Sequence, residues 1–426
     1  MKRLNGIRLP KSKRAQTKQI TALPLPALIR IPMLMHIGEP CIPIVQPDEY
    51  VYAGQEIGRA EGDTAVPIHS SVSGTVSQIS DYSLPDGRDV PCIEIVPDGL
   101  QVLHPDCVPP KITNKQELAD AARNSGCVGL GGSGDLTYQK FCRQEKMTAL
   151  VLNGAECERF LSSDLRQMLE NAEQIIAGAA MIQKIMKIKE VLIGVQSSQP
   201  APIQALTQAA ETYPSISVCP LPPVYPQGEK KVLVYHTTGM IVPEGKEPED
   251  IGILVLNVST CAFLYQYSQT GIPLIERVIT VDGNAVPKAC NLQVLIGTPI
   301  TDILNHVSCE LDNVKQIYSG GAMMGVSYPS LQASAVKPQN GLIVMKNAPV
   351  QKTISDCIRC GKCLRVCPMH LLPMELDRAY QLRDIRMLTE LHAGLCMNCG
   401  CCSYICPANR PLADTIRMAK TLLSNT

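Results

Sequence analysis

Between residues 31 and 97 apolar and polar positions alternate in short runs broken by turn residues, as in CIPIVQPDEYVYAGQEIGRA and PIHSSVSGTVSQI. A period of two with few helical signals predicts a small β-barrel or sandwich. His36 and His69 fall in this region and read as structural, hydrogen-bonded histidines. At Asn114 the period changes. Asn114 can cap a helix, Glu117 follows at capping-box spacing, and QELADAARNSG runs to a stop at Gly126. TALVLNG reads as a strand ending at Asn153. The polar AECERFLSSD leads into a long amphipathic helix with Leu165, Met168, Leu169, Ala172, Ile175, Ile176 and Ala179 on one face, and EVLIGV resumes the strand pattern. Such alternation predicts an α/β sheet, whose ligands bind outside the carboxyl ends of the strands, where NGAECE sits. VYPQGEKKVLVY and LVLNVST read as further wall of the same site. Residues 274–304 suggest strands, turns and a short helix in a β-grasp-like module, after which SGGAMMG and GLIVM lead into a cysteine-rich end.

Composition narrows the class. A chain of 426 residues holds about three ordinary domains, and 45% hydrophobic against 18% charged residues describes packed modules. Zero formal net charge argues against a nucleic-acid binder. The first eighteen residues are locally basic (Lys2, Arg3, Arg8, Lys11, Lys13, Arg14, Lys18), which fits a solvated tail or a docking arm for an acidic partner or lipid surface. No apolar run reaches the roughly 18–20 residues of a spanning helix and no signal-peptide core is visible, so a soluble, cytoplasmic chain is expected.

Nine of the 19 cysteines crowd into residues 357–406. CIRCGKCLRVCP and CMNCGCCSYICP each carry C-x2-C-x2-C-x3-C-P, the spacing of a bacterial two-cluster ferredoxin. There, three close thiolates bind one [4Fe-4S] cubane and the fourth reaches the other. The expected ligand sets are Cys357, Cys360, Cys363 and Cys406 for one cluster, and Cys396, Cys399, Cys402 and Cys367 for the second. Structural zinc is the competing reading, although the third cysteine spoils a clean tetrahedron. Cys401 reads as packing. The glycine-dense GLGGSGDLTYQK (129–140) could lay bare backbone against a phosphate or flavin. Glu156 and Glu158, beside Asn153, could accept hydrogen bonds from ring N–H groups or ribose hydroxyls, or be solvated by the loop.

HIGEPCIPIV, PIHSSVSGTV, GLGGSG, NGAECE, YPQG, RVITVDGNAV, SGGAMMG and both cysteine runs in one chain resemble the RnfC family, the peripheral C subunits of the ion-translocating Rnf electron transport complex. The resemblance covers roughly residues 5 to 418, and the central part is similar to the flavin-bearing subunit of respiratory complex I. It implies an α/β multidomain protein: a basic arm and barrel-sandwich hybrid module (1–105), a Rossmann-like FMN/NAD-binding domain (106–245), a β-grasp module of SLBB type (246–345) and a two-cluster ferredoxin-type helical domain (346–426). It further implies two [4Fe-4S] clusters, FMN, and NAD(H) as substrate. The protein would sit peripherally on the cytoplasmic face of the cell membrane, pass electrons between NAD(H) and the other subunits, receive ferredoxin electrons indirectly, and serve Na+ or H+ transport. The flavin cradle carried over from the family is Gly129, Gly131, Gly132, Gly134 and Lys140, lined by Asn153, Glu156, Glu158, Tyr225, Gly228, Glu229, Asn257 and Thr260, with Glu156 and Glu229 in catalytic roles.

Four departures from the family pattern fall at this site. Ser133-Gly134-Asp135-Leu136-Thr137 stands where Ala-Gly-Phe-Pro-Thr is usual, Arg159 replaces a proline, Ser259 a glycine, and YPQGEK is one residue short. Loss of the aromatic removes a stacking surface worth about 1 kcal/mol, and Asp135 adds negative charge, so NADH is expected to bind more weakly than in relatives while FMN is kept. Competing readings are an iron–sulfur relay that has lost flavin and a soluble reductase serving another redox enzyme.

Overall fold

The computed structural model describes residues 4–10, 12–328, 330–347 and 353–424. The alternating N-terminal region forms two small antiparallel sheets. One runs in the order Ile29–Pro32, Asp89–Pro97, Gly74–Ser83, Tyr50–Val51, and the other Ile42–Pro43, Glu56–Arg59, Ile68–His69. Ile29, Ile31, Ile57, Ile68, Ile93 and Ile95 are fully buried in one core, as the period of two requires.

The helix expected after Asn114 spans Lys115–Asn124, and the Glu117 N–H donates to Asn114 Oδ1 (3.0 Å). The Glu117 carboxylate accepts from the Thr113 N–H (2.6 Å), one residue outside the reciprocal partner of a capping box. Four strands then build an all-parallel sheet in the order Ile216–Leu221, Glu190–Gln196, Ala149–Gly154, Ile253–Asn257. Because Ile253–Asn257 pairs with Ala149–Gly154, this sheet extends past residue 245, where the resemblance ends the Rossmann-like domain. Local pattern cannot reveal a strand that returns to pair with one laid down about a hundred residues earlier. The long amphipathic helix is two helices, Ser163–Glu170 and Ala172–Met186, separated by Asn171 at φ −127°. The apolar face stays in phase across the break, so periodicity alone reads as continuous.

The fourth sheet is mixed, in the order Ile20–Ala22, Cys290–Leu295, Glu276–Asp282, Gly341–Met345, Gln316–Ser319, Val326–Tyr328. Its edge strand comes from the N-terminus, and two residues of the basic run, Lys13 and Arg14, are held against the fold instead of forming a free tail or docking arm. Arg14 donates to buried Asp282 (2.6 Å), and Lys13 Nζ donates to Glu156 O (2.6 Å). Lys2, Arg3 and Lys11 lie outside the described residues, and Arg8 and Lys18 are exposed. The C-terminal helices Pro373–Gln381, Ile385–Glu390 and Leu412–Ser424 pack through Leu376, Leu388 and Ile416. Among the described residues no helix is long and apolar enough to cross a membrane.

Lys337, fully buried, ties three modules together by donating to Pro67 O (2.7 Å) and Gly126 O (2.9 Å). His36 and His69 lie in its field, and among the described residues Nδ1 of each is buried without a partner, so they are less fully hydrogen-bonded than expected. Burial first, and Lys337 second, lower His36 to about 4 and His69 to about 3. Both native pKa values lie below the ordinary 6.5, so on acidification the unfolded chain takes up protons that the fold refuses. Unfolding free energy therefore falls as pH drops from 6.5 toward 3. Denaturant titrations across that window should show His69→Gln with a shallower acid slope than wild type; an unchanged slope would remove His69 from the account.

Candidate functional site

The strand order places a switch point between Ala149–Gly154 and Ile253–Asn257, whose carboxyl-terminal residues Asn153 and Asn257 are register partners. Asn153 Nδ2 donates to Gly228 O (2.8 Å). Asn257 Oδ1 accepts from the Ser259 N–H (2.8 Å) and so caps the helix Val258–Thr270, while its Nδ2 donates to Asp164 Oδ2 (2.7 Å). Over this point folds the glycine loop. Its neck is closed by Gly129 N–H to Asp135 O (2.8 Å), and its crest is held by Leu130 N–H to Thr260 Oγ1 (3.0 Å) and by Arg277 Nη2 to Leu130 O (2.7 Å). A Cβ on Gly131 would meet Asn257 Nδ2 at 2.9 Å, so glycine is needed there for contact. Gly132 is exposed and sits at φ +100°, and a Cβ there would come into ordinary contact with the Asn340 side chain at 3.7 Å, so the loop presents bare backbone beside Asn340. Gly129, Gly131, Gly132, Gly134, Asn153, Gly228, Asn257 and Thr260 thus gather at one place.

The charged candidates are placed differently from the expectation. Glu156 accepts backbone N–H bonds from Asp164 (2.7 Å) and Leu165 (3.1 Å) at the start of Ser163–Glu170, with Lys13 at 3.7 Å; burial raises it to about 7. Glu158 accepts from Met323 (3.0 Å) and Met324 (2.9 Å), and burial raises it too. Glu229 caps Lys230–Thr238 through the Lys231 N–H (2.8 Å). The carboxylates expected to orient a ring or nicotinamide thus hold the backbone around the cradle. Lys140, expected to offer a charge to a phosphate, donates to Val255 O (2.9 Å) and lies 3.8 Å from both Asp135 and Glu249. Asp135 is not a bare negative charge beside a ligand: burial would raise it, but Lys230 at 2.8 Å and Lys140 hold it below the usual range. The changed residue at 135 captures both lysines.

Asp164, Arg277 and Cys157 belong to this network, and the sequence does not single them out. Ser259 Oγ donates to Asp164 Oδ1 (2.6 Å), giving the departure at 259 a partner, and Cys157 Sγ accepts from the Gln227 N–H (3.2 Å). Only the acidic residue at the mouth of a helix hints at Asp164.

Both cysteine runs repeat one backbone design. Arg359 and Asn398, Gly361 and Gly400, and His370 and Asn409 occupy equivalent positions with positive φ, and a short helix follows each Gly (Lys362–Val366, Cys401–Ile405). The repetition makes two cavities. One is lined by Cys357, Cys360, Cys363 and Cys406, and the other by Cys367, Cys396, Cys399 and Cys402 with Cys401 beside them, so each cavity takes one thiol from the opposite run. Among the described residues no three His, Cys, Asp or Glu side chains converge tightly enough to share a single ion. Thiols that ring a cavity fit a multi-iron cluster. Cys401 is buried against Tyr225 and Cys399.

Tyr225 joins the two regions: its hydroxyl donates to Cys399 O (2.7 Å), while Gly228 in the same loop accepts from Asn153 in the cradle. The cradle also fits a flavin. Among the described residues the buried Asn340 Oδ1 has no hydrogen-bond partner, and it lies 3.8 Å from where a Cβ would stand on Gly132, beside the glycine loop, where a ribityl hydroxyl or ring N–H could donate.

Residues 122–266 match the family model described as Nuo51 FMN-binding domain, residues 2–100 the RnfC barrel sandwich hybrid domain, and residues 356–410 the 4Fe-4S dicluster domain. The chain is thus a mixed α/β multidomain protein with these three parts. The NAD+-reducing [NiFe]-hydrogenase in its H2-reduced state is similar at a TM-score of 0.48 and 16% identity, over 75% of this chain and 63% of that one. The C subunit of the proton-translocating ferredoxin:NAD(+) oxidoreductase complex of Clostridium ljungdahlii is 36% identical, over 86% of this chain and 81% of its own length. The Na(+)-translocating counterpart of Acetobacterium woodii is 36% identical over 93% and 90%, and the C subunit of the ion-translocating oxidoreductase complex of Rhodobacter capsulatus 35% over 95% and 80%. At that identity over most of both chains, this chain belongs to the RnfC family, the C subunits of ion-translocating oxidoreductase complexes.

Proposed function

We propose that this chain is the peripheral electron-transfer subunit of a membrane-bound, ion-translocating ferredoxin:NAD oxidoreductase complex, passing electrons between NAD(H) and the other subunits through FMN and two [4Fe-4S] clusters. The single observation that carries this reading is the loop 225–229, which reaches the cradle through Gly228 and the Cys399 segment through Tyr225. FMN, when bound, accepts the electron pair of a hydride and releases electrons singly, the conversion that a pair of clusters needs. Gly129, Gly131, Gly132, Gly134, Asn153, Gly228, Asn257 and Thr260 would hold it. Glu156, Glu158 and Glu229 would fix the loops around it. Lys140 would act with Lys230 as a shared positive field, tempered by Asp135 and Glu249. Cys357, Cys360, Cys363 and Cys406 would bind one cluster, and Cys396, Cys399, Cys402 and Cys367 the other.

The parallel sheet corresponds to a Rossmann-like FMN/NAD domain and the mixed sheet to an SLBB-type β-grasp module, with the boundary between them after Gly271. The partner subunits would carry the Na+ or H+ transport and place this chain on the cytoplasmic face of the membrane, with ferredoxin electrons arriving through them. The relay reading draws on one observation, the engagement of Lys140 by Asp135 and Glu249. Anaerobic addition of NADH separates the two. Cluster absorbance should bleach in the FMN-loaded chain and stay unchanged in the flavin-free chain; no bleaching in either would favour the relay.

A further inference from the structure

The segment Lys337–Asn340 carries no motif in the sequence, yet it holds buried polar groups that the fold leaves unpaired. Asn340 is 8% exposed; its Nδ2 donates to Gly131 O (3.3 Å), and among the described residues its Oδ1 has no partner. That oxygen lies 3.8 Å from where a Cβ would stand on Gly132 and also on Gly320, both at positive φ. Two glycine turns, one in the loop 129–135 and one after the strand Gln316–Ser319 of the mixed sheet, therefore face one unused acceptor. The backbone leaves Asn340 little freedom to retreat. Its carbonyl accepts from the Thr280 N–H (3.1 Å), and Gly341 O, the next carbonyl, accepts from the Gly320 N–H (2.8 Å). Glu158, through Met323 and Met324, holds the 320–325 turn in place. A buried, rigid, unsatisfied carbonyl oxygen costs free energy unless something donates to it.

We propose that Asn340, supplied by the mixed sheet, is a flavin-binding residue: Oδ1 accepts a hydrogen bond from FMN while Nδ2 keeps the Gly131 carbonyl turned away from the ligand. This rests on the flavin reading given above. The donor class is a ribityl hydroxyl or the ring N3–H, the neutral donors that FMN offers. The consequence is that the cradle is completed by a module outside the parallel sheet, so its affinity depends on how the two sheets are docked.

The test is FMN binding to the full chain, followed by quenching of flavin fluorescence, with FMN, 3-methyl-FMN and an FMN analogue lacking ribityl hydroxyls as probes. Wild type should bind FMN and lose about tenfold for one of the two analogues, the cost of one hydrogen bond to a buried acceptor. Asn340→Leu should bind natural FMN about tenfold more weakly and no longer distinguish that analogue from FMN. If wild type binds all three probes equally, or Asn340→Leu keeps wild-type affinity and discrimination, the assignment of Asn340 is overturned while the flavin site stands. The analogue series in wild type decides the matter even if the variant does not fold. Wild type that binds no FMN at all overturns the flavin reading, and this assignment with it.

Discussion

Cys406→Ala should remove the cluster of the first cysteine run, and Cys367→Ala that of the second. Cys406 follows Cys402 in sequence, yet it lines the cavity of Cys357, Cys360 and Cys363; Cys367 likewise lines the cavity of Cys396, Cys399 and Cys402. Losing one of four thiolates opens an iron to solvent, and iron content should fall from about eight per chain toward about four. The two variants should differ in what survives. The cavity around Cys399 lies against Tyr225 and the buried Cys401, whereas Cys357 and Cys360 are exposed. Cys406→Ala should therefore keep the more sheltered cluster, and Cys367→Ala the more exposed one, with different electron paramagnetic resonance signals after reduction. If each substitution instead erased the cluster of its own run, the cavities would not be the ligand sets.

Asp135→Ala should destabilise the chain by about 1–3 kcal/mol. Removing one partner of a buried ion pair costs about 3–5 kcal/mol where the other is left without any counter-charge. Here Asp135 and Lys230 are only half-buried, Lys230 keeps Glu247 at 3.7 Å and Lys140 keeps Glu249 at 3.8 Å, so the loss is partial. Asp135→Asn, which keeps the shape and drops the charge, should show most of the same loss in chemical denaturation. Full stability in the Asn variant would mean that the lysines do not depend on Asp135. Asp135→Phe is then two changes at once: it restores a stacking surface worth about 1 kcal/mol for a nicotinamide and releases two ammonium groups. NADH should bind more tightly and the chain melt earlier, and only the first of these follows from the sequence comparison of the loop.

The legible parts of the molecule were those written in short-range pattern. Alternation marked the small sheets, Asn114 marked a helix start, and cysteine spacing marked two runs whose thiols the fold gathers crosswise. The glycines could be read because φ +100° at Gly132 and the contact at Gly131 demand them. The charged residues could not, because each carboxylate had two possible partners, a ligand or a backbone N–H, and the choice is made by helix starts and turns distant in sequence. Glu156 caps a helix seven residues on, and Glu158 holds a turn 165 residues away. Lys13 and Arg14 of the basic N-terminal run depart from a free tail for the same reason, since Arg14 is bound by Asp282 across 268 residues. Asn340 gave no signal because an asparagine before an apolar run looks like any turn residue.

The most direct test of the account is the flavin and iron content of the full chain after anaerobic purification and reconstitution with FMN and iron. The cradle at Asn153 and Gly228, joined through Tyr225 to the Cys399 cavity, predicts stoichiometric FMN together with about eight irons per chain. About eight irons with no retained flavin would contradict it and make the chain a relay.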